Sequence, residues 1–380
     1  MKVHLWKAYN IKKISVDLRP EFKNKLIEFI LGQIPQIANS LKILPVRLYE
    51  YFIYQKSPIP LRVLMNLIKL IRISSLELEE NIILYKQMFV PMKNSVKNPK
   101  LPLTITPYFT SIISNLYFDG SLPKDGKGTY YNQKRKEIMQ GFIERVKFVF
   151  GDVHYVLRKD HRDVLKCRLP RVVGEICKKI YEVDSFGCFD SKISKKIFSL
   201  SKDHKIAFVL TAILDEGSIA YDGTIMFGVT NKDLCEGVKI LCNQIGLVTN
   251  NLRNKKNSDF HYFHIKSRKN FYKIIKSFSK KYPLISLNYK EKRLKIALEI
   301  KKQKVYHTKD FASKRIKLIL QELKKGNCSI NYLASKHLIP PRTVRRYMYK
   351  LMKERKVKRE KIGNEYYYTI SNSKFIKSIF

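Results

Sequence analysis

Two short stretches hold the residues best placed for chemistry. "IISNLYFDGS" (Ile112–Ser121) and "VLTAILDEGS" (Val209–Ser218) each carry an apolar helical run to an acid followed by Gly-Ser. The acids are Asp119 and Glu216, and the glycines are Gly120 and Gly217. A carboxylate at a helix C-terminus faces the negative end of the helix dipole and needs a cation beside it. A divalent metal suits that place, because Mg2+ binds one or two carboxylates and completes its shell with water and phosphate oxygens. Metal ions held this way can activate water and stabilise the leaving oxygen of a phosphodiester.

Both acids must be carried by buried helices. "TPYFTSIISNLYFDG" opens with Thr106 as N-cap and Pro107 at the first helical position. "KDHKIAFVLTAILDEG" is apolar nearly all round from Ile206 to Leu214, and a helix apolar on every side is buried on every side. Two such helices are expected to pack on each other at a domain centre, bringing Asp119 and Glu216 together at one end.

One order of elements follows each acid. A hairpin-like stretch ("LPKDGKGTYYNQ", then "YDGTIMFGVTN") leads to an amphipathic helix ("RKEIMQGFIERVKFVF", then "KDLCEGVKILCNQIG"). Two further strands come next ("DVHYVLRK" with "VLKCRL", then "NNLRN" with "FHYFHIK"). A closing helix ends each half ("RVVGEICKKIY", then "NFYKIIKSFSKKY"). The same order twice is an internal duplication.

The flanks read differently. Residues 21–90 have apolar residues at helical spacing and are expected to be helices only. Within them "QIANSLKILPVRLYEYF" has a helix, short turn, helix rhythm with Ile37, Ala38 and Leu41 facing inward, and resembles the helix-turn-helix of phage repressors. "SPIPLRVLMNLIKLI" opens a further helix behind Pro58 and Pro60. "VPMKNSVKNPKLPLTIT" (Val90–Thr106) reads as a linker. Residues 310–370 read helix, helix, helix, then two strands around Gly363-Asn364, and resemble a winged helix. Its recognition helix would be "PPRTVRRYMYKLMKE" and its wing "VKREKIGNEYYYTI". Arg342, Thr343, Arg345 and Arg346 at the helix start, with Lys358, Arg359 and Lys361 on the wing, are then the residues expected to meet DNA. The expected domains are 1–100, 101–200, 201–305 and 306–380.

Composition narrows the partner. The 75 Lys+Arg against 32 Asp+Glu leave a net charge of +43, which points first to nucleic acid and only second to acidic membrane. No run of 18 or more apolar residues appears, and the first twenty residues lack a hydrophobic signal core, so no membrane role is expected. The six scattered cysteines include no CxxC pair, which argues against zinc and disulfides and for reduced core residues in a cytoplasmic protein, nucleoid-associated if prokaryotic. His261 and His264 fall on opposite faces of one strand and share no metal.

The two nine-residue stretches Ile112–Gly120 and Val209–Gly217, with the elements after each, resemble the LAGLIDADG homing endonuclease family over roughly residues 101–300. The resemblance implies an α+β fold: a pseudo-two-fold, duplicated αββαββα saddle lying over the DNA major groove. It would be flanked here by an all-α helix-turn-helix-like domain and a C-terminal winged helix. It implies a monomer, a pseudo-dimer within one chain, that cuts both strands of DNA at a specific site. Carried over position by position, the metal ligands are Asp119 and Glu216, holding Mg2+ or Mn2+. The family often places a basic residue in the last strand of each repeat, near the cleavage water. Lys266 in "FHIKS" and Arg168 or Lys166 in "LKCRLP" are the candidates. The third motif position, normally Gly, is Ser114 and Thr211, and the seventh, usually Gly or Ala beside the metal, is Phe118 and Asp215. A non-catalytic DNA-binding transcriptional regulator on the same fold is the alternative, and an RNA maturase is a third reading. An intein would need a nucleophilic first residue and a terminal His-Asn, where this chain has Met1 and "SIF".

Overall fold

The computed structural model describes residues 1–55, 57–89, 91, 94–123, 128–187, 189, 191–256, 258–302, 309–363 and 365–371, with the side chains of 300–302 and 309–311 left aside. Residues 124–127 of the first hairpin stretch, Cys188, the 305/306 boundary and Asn364 of the wing turn lie outside the described residues.

The two motif helices, Pro107–Phe118 and Lys202–Asp215, pack directly on each other. Every residue of the first is buried, and the second is buried from Ile206 to Leu214. Thr106 caps the first helix by accepting from the Phe109 amide at 3.3 Å, with Pro107 at the start where a missing N–H costs nothing. Small third-position residues let the backbones approach closely: Ser114 Oγ donates to the Phe208 carbonyl of the other helix at 2.9 Å.

Each motif helix is backed by a four-stranded antiparallel sheet. In the first half the strand order is Val156–Lys159, Leu165–Leu169, Thr129–Gln133, Gly120–Ser121. In the second half it is Arg253–Asn254, His261–Ile265, Ile225–Val229, Ser218–Ile219. The order is the same, with the short strand after each motif at the sheet edge. Amphipathic helices Lys136–Phe150 and Lys232–Gln244, and closing helices Arg171–Tyr181 and Arg268–Lys281, complete the two halves.

Residues 1–100 depart from the all-helical expectation. The helices Pro20–Leu31, Ile34–Leu41 and Leu61–Leu70 form, and Ile37, Ala38 and Leu41 are buried as the spacing predicts. However, Ile82–Gln87 is a strand pairing with Ile14–Leu18, in a five-stranded sheet ordered Ile59–Pro60, Ile14–Leu18, Ile82–Gln87, Ser95–Lys97, Asp152–Val153. "IILYKQ" is a short apolar run whose periodicity fits helix and strand alike, and its β-branched and aromatic residues find a sheet partner. The expected linker also contributes strands, Ser95–Lys97 to that sheet and Leu103–Thr104 to Lys2–Val3. One continuous apolar core runs from Leu5 to Leu294.

Residues 309–371 have their own core, centred on Ile319, Leu333, Val344, Met348 and Leu351. Helices Lys309–Lys325, Ile330–Lys336 and Pro341–Lys353 precede strands Val357–Ile362 and Glu365–Ile370, which pair as a hairpin beside Cys328–Ser329. Gly363 supplies the left-handed backbone (φ 61°) that starts the hairpin turn.

Candidate active site between the motif helices

Asp119 and Glu216 are the C-cap residues of their helices, their amides bonded to Asn115 O at 3.1 Å and Ala212 O at 2.9 Å. After each acid the chain folds back over its own last turn. A Cβ on Gly120 would lie 2.4 Å from Leu116 Cα, and one on Gly217 2.8 Å from Ile213 Cα, so both positions exclude any other residue. Both acids are half-buried.

The two carboxylates feel each other. Burial first, and then the Asp119 charge, push Glu216 up to about 7. Asp119 is likewise raised by burial, and Gln133 Nε2 donates to its Oδ2 at 3.4 Å.

A cation is already present, and it is not one of the expected ones. The buried Lys290 Nζ donates to three carbonyls at the end of the second motif helix: Ile213 at 2.8 Å, Leu214 at 2.5 Å and Gly217 at 2.6 Å. Burial lowers its pKa to about 8, while Asp215, Glu216 and Asp119 pull it back up. The ammonium thus satisfies orphan helix-end carbonyls and offsets part of the acidic charge. Lys290 lies in the first turn of helix Tyr289–Lys302, where a cation opposes the dipole, the one local hint of a special role.

Phe118 and Asp215, at the seventh motif position, each make contacts across the halves. Phe118 is buried edge-on against Phe208 (6.1 Å between centroids) and Phe227 (5.6 Å) of the second half. Asp215 takes a hydrogen bond on each oxygen from the first half, from Asn115 Nδ2 at 2.8 Å and Tyr131 OH at 2.8 Å. Arg145, fully within the protein, closes the chain by donating Nη2 to Asn115 Oδ1 at 2.7 Å and Nη1 to Leu284 O at 2.9 Å. Each seventh-position residue therefore locks into the opposite half.

The strand cations sit on the outer sheet faces. Alternation along Leu165–Leu169 turns Cys167 and Leu169 into the core and Lys166 and Arg168 to the outer face, across from Asn132 and Tyr130. Lys166 Nζ pairs with Asp160 at 3.3 Å. Lys266, just past strand His261–Ile265, continues the outer face that holds Tyr262 and His264 and is exposed. Among the described residues none of these three is bonded to Asp119 or Glu216. Arg342, Arg345 and Arg346 are exposed at the start of Pro341–Lys353 with Thr343 half-buried, and Lys358, Arg359 and Lys361 are exposed on the hairpin. Arg359 also stacks over the Tyr366 ring at 4.4 Å.

Among the described residues, no three His, Cys, Asp or Glu converge as a metal-ligand group. Two repelling carboxylates offset by one ammonium still fit a hard divalent ion that draws its other ligands from water and phosphate. Cys167, Cys177, Cys235, Cys242 and Cys328 are buried free thiols. No described helix is long and apolar enough to cross a membrane.

No protein-family model and no curated protein matches the chain. Solved structures similar to part of it include I-DmoI in complex with DNA and Mn, at 13% identity and a TM-score of 0.33, over 45% of this chain and 96% of that one. The N-terminal LAGLIDADG domain of DUF199/WhiA is similar at 9% identity and 0.34, over 47% and 86%. Full-length DUF199/WhiA from Thermatoga maritima is similar at 9% identity and 0.34, over 65% of this chain and 90% of its own.

Proposed function

We propose that the chain is a site-specific double-stranded DNA endonuclease, a monomer whose two halves sit over the duplex as a saddle and hydrolyse phosphodiesters with Mg2+ or Mn2+. The observation that carries this reading is the pair Asp119 and Glu216, half-buried at adjoining helix ends with Glu216 raised first by burial and then by its neighbour's charge. Such a pair favours protons or a divalent cation over being left ionised and bare. Asp119 and Glu216 would hold the ion, which when bound supplies Lewis-acid activation of water and charge neutralisation at a phosphodiester. Gln133 orients the Asp119 carboxylate, and Lys290 holds the end of the second motif helix rigid. Lys166, Arg168 and Lys266 on the outer sheet faces would contact DNA phosphates. Residues 1–100 would form an accessory module, the halves would divide at 101–200 and 201–305, and 306–380 would bind DNA as a winged helix through Arg342, Thr343, Arg345, Arg346, Lys358, Arg359 and Lys361.

A second reading, a DNA-binding regulator that does not cut, is favoured by Lys290. An ammonium tethered to the helix-end carbonyls, whose charge pulls both acids down against the burial that raises them, is a standing positive charge that a regulator could keep in place of metal.

The test is to select the bound duplex from a random pool and incubate it with the protein in Mg2+ or Ca2+. The endonuclease reading expects a double-strand break in Mg2+ alone, lost in Asp119→Asn with binding retained. Tight, specific binding without any Mg2+-dependent break sinks it in favour of the regulator.

A further inference from the structure

A cleft of about 800 Å3 opens at the seam between the N-terminal segment and helix Arg171–Tyr181 of the first half. Its volume falls in the range of small-molecule sites, and three independent features of its wall describe a ligand.

The first is charge. Lys7, Lys13, Lys179 and Arg171 line the cleft with one acid, Glu175, and Arg171 already engages that acid at 2.9 Å. Among the described residues no carboxylate pairs with Lys7, Lys13 or Lys179, so the wall presents an unbalanced positive field suited to an anion.

The second is a prepared aromatic plane. Trp6 and Tyr9 both line the cleft and are half-buried. One face of Trp6 stacks on His4, with centroids 4.6 Å apart and planes 6° from parallel. His4 is in turn held by Glu79 at 2.7 Å, and Glu79 also accepts from the Leu5 amide at 2.7 Å. The indole is thereby fixed before any ligand arrives, which reduces the ordering cost of stacking on it.

The third is an unmet acceptor. Gln87 lines the same cleft, and its amide oxygen is buried without a hydrogen-bond partner. Leaving such a group unpaired is unfavourable, so a ligand N–H that reaches it gains a hydrogen bond the protein itself does not supply.

We infer that this cleft is a nucleotide site, taking a planar heterocycle with an N–H donor and an attached phosphate. The base would stack at Trp6 and Tyr9 and donate to Gln87, and the phosphate would lie among Lys7, Lys13 and Lys179. The cleft contains neither motif acid nor any of the strand or hairpin cations assigned to DNA, so the inference stands whether or not the chain cuts DNA.

Trp6 is the chain's one tryptophan, so its fluorescence reports this cleft directly. The full chain is titrated with AMP, adenosine, inorganic phosphate and a short DNA duplex, with equilibrium dialysis of AMP in parallel. AMP is expected to quench Trp6 saturably, with adenosine and phosphate each weaker by about tenfold or more, because each carries half of the recognition. Gln87→Leu is expected to weaken AMP by about tenfold while leaving phosphate unchanged; it removes a buried oxygen that has no partner in the protein. Lys13→Ala is expected to weaken AMP and phosphate together, and Lys276→Ala, on the second half, to change neither. The inference is overturned if AMP gives no saturable signal, if phosphate matches AMP, if Lys276→Ala weakens AMP as much as Lys13→Ala, or if the duplex displaces AMP.

Discussion

Tyr131 and Asp215 belong to opposite halves of the duplicated core, and the phenolic hydroxyl of the first donates to the carboxylate of the second at 2.8 Å. The same relationship has an unlike counterpart, since Phe118, which holds Asp215's place in the other motif, enters the rings of Phe208 and Phe227. At the seventh motif position the halves are thus joined by a polar contact from one motif and an apolar contact from the other. Two copies of the first half could not pair this way, because each Phe118 would face an Asn115 and an Arg145 that need an acid.

Asp215→Ala is therefore expected to cost about 2–5 kcal/mol, since it leaves the buried Asn115 amide and Tyr131 hydroxyl without their acceptor. Tyr131→Phe removes two hydrogen bonds, the one donated to Asp215 and the one accepted from Asn115 Nδ2 at 3.1 Å, and should cost about 1–3 kcal/mol. Denaturant unfolding checks both. Equal midpoints for Asp215→Ala and the parent protein would remove the network from any structural role.

Lys290→Met leaves three helix-end carbonyls without a donor and the acids without their ammonium. In metal-free buffer near pH 8 the variant is expected to be destabilised by about 2–4 kcal/mol. Added Ca2+ should raise its melting temperature more than it raises the parent's, because the ion then has less positive charge to compete with. A Ca2+ response equal to or smaller than the parent's would show that Lys290 does not share the acids' field.

The pH dependence follows from the raised acids. Glu216, pushed to about 7, and Asp119, also raised, bind protons in the folded chain that the unfolded chain has already released. Metal-free stability should fall as pH rises from the ordinary carboxylate range to about 6 for Asp119 and about 7 for Glu216, by up to about 1.4 kcal/mol per pH unit for each acid within its own window. Lys290 acts in the opposite sense: lowered to about 8, it binds fewer protons than the unfolded chain above that pH, so its contribution improves as pH rises further. Melting curves of the parent against Asp119→Asn/Glu216→Gln isolate the first effect. Parallel pH profiles for the two would contradict it.

The parts of this site that could be read from residues alone are those with local signatures. An all-round apolar helix ending in acid-Gly announces burial and a tight reversal, and Gly120 and Gly217 do lie where a Cβ would strike the preceding turn. The repeated order of elements is equally legible, because the period changes along the chain from helix to strand. What escaped is long-range. Ile82–Gln87 becomes a strand because Ile14–Leu18 offers it a partner, and nothing within the six residues decides that. Lys290 is one of 75 Lys and Arg, and it becomes special only when the fold places its ammonium over the end of a helix more than seventy residues away. Asp215 gives no local sign of its partners, Asn115 and Tyr131, because they lie in the other half.

The outer sheet faces offer a prediction that separates two adjacent cations. Arg168 and Lys166 alternate with core residues on the same strand and share one face, yet Lys166 is held by Asp160 at 3.3 Å, and among the described residues no carboxylate pairs with Arg168. A cation already engaged by a carboxylate releases fewer counterions when it meets a phosphate. Arg168→Ala is thus expected to lower DNA affinity and to flatten the plot of log K against log salt by about 0.9, the increment for one phosphate contact. Lys166→Ala should flatten it by less. Arg346→Ala, an exposed position at the start of helix Pro341–Lys353, should behave like Arg168→Ala if the C-terminal unit lies on the same duplex. Fluorescence anisotropy across a salt series measures all three. If Lys166→Ala changes the slope as much as Arg168→Ala, the Asp160 pair does not persist on DNA; if neither changes it, the outer face of the first sheet is not where the backbone lies.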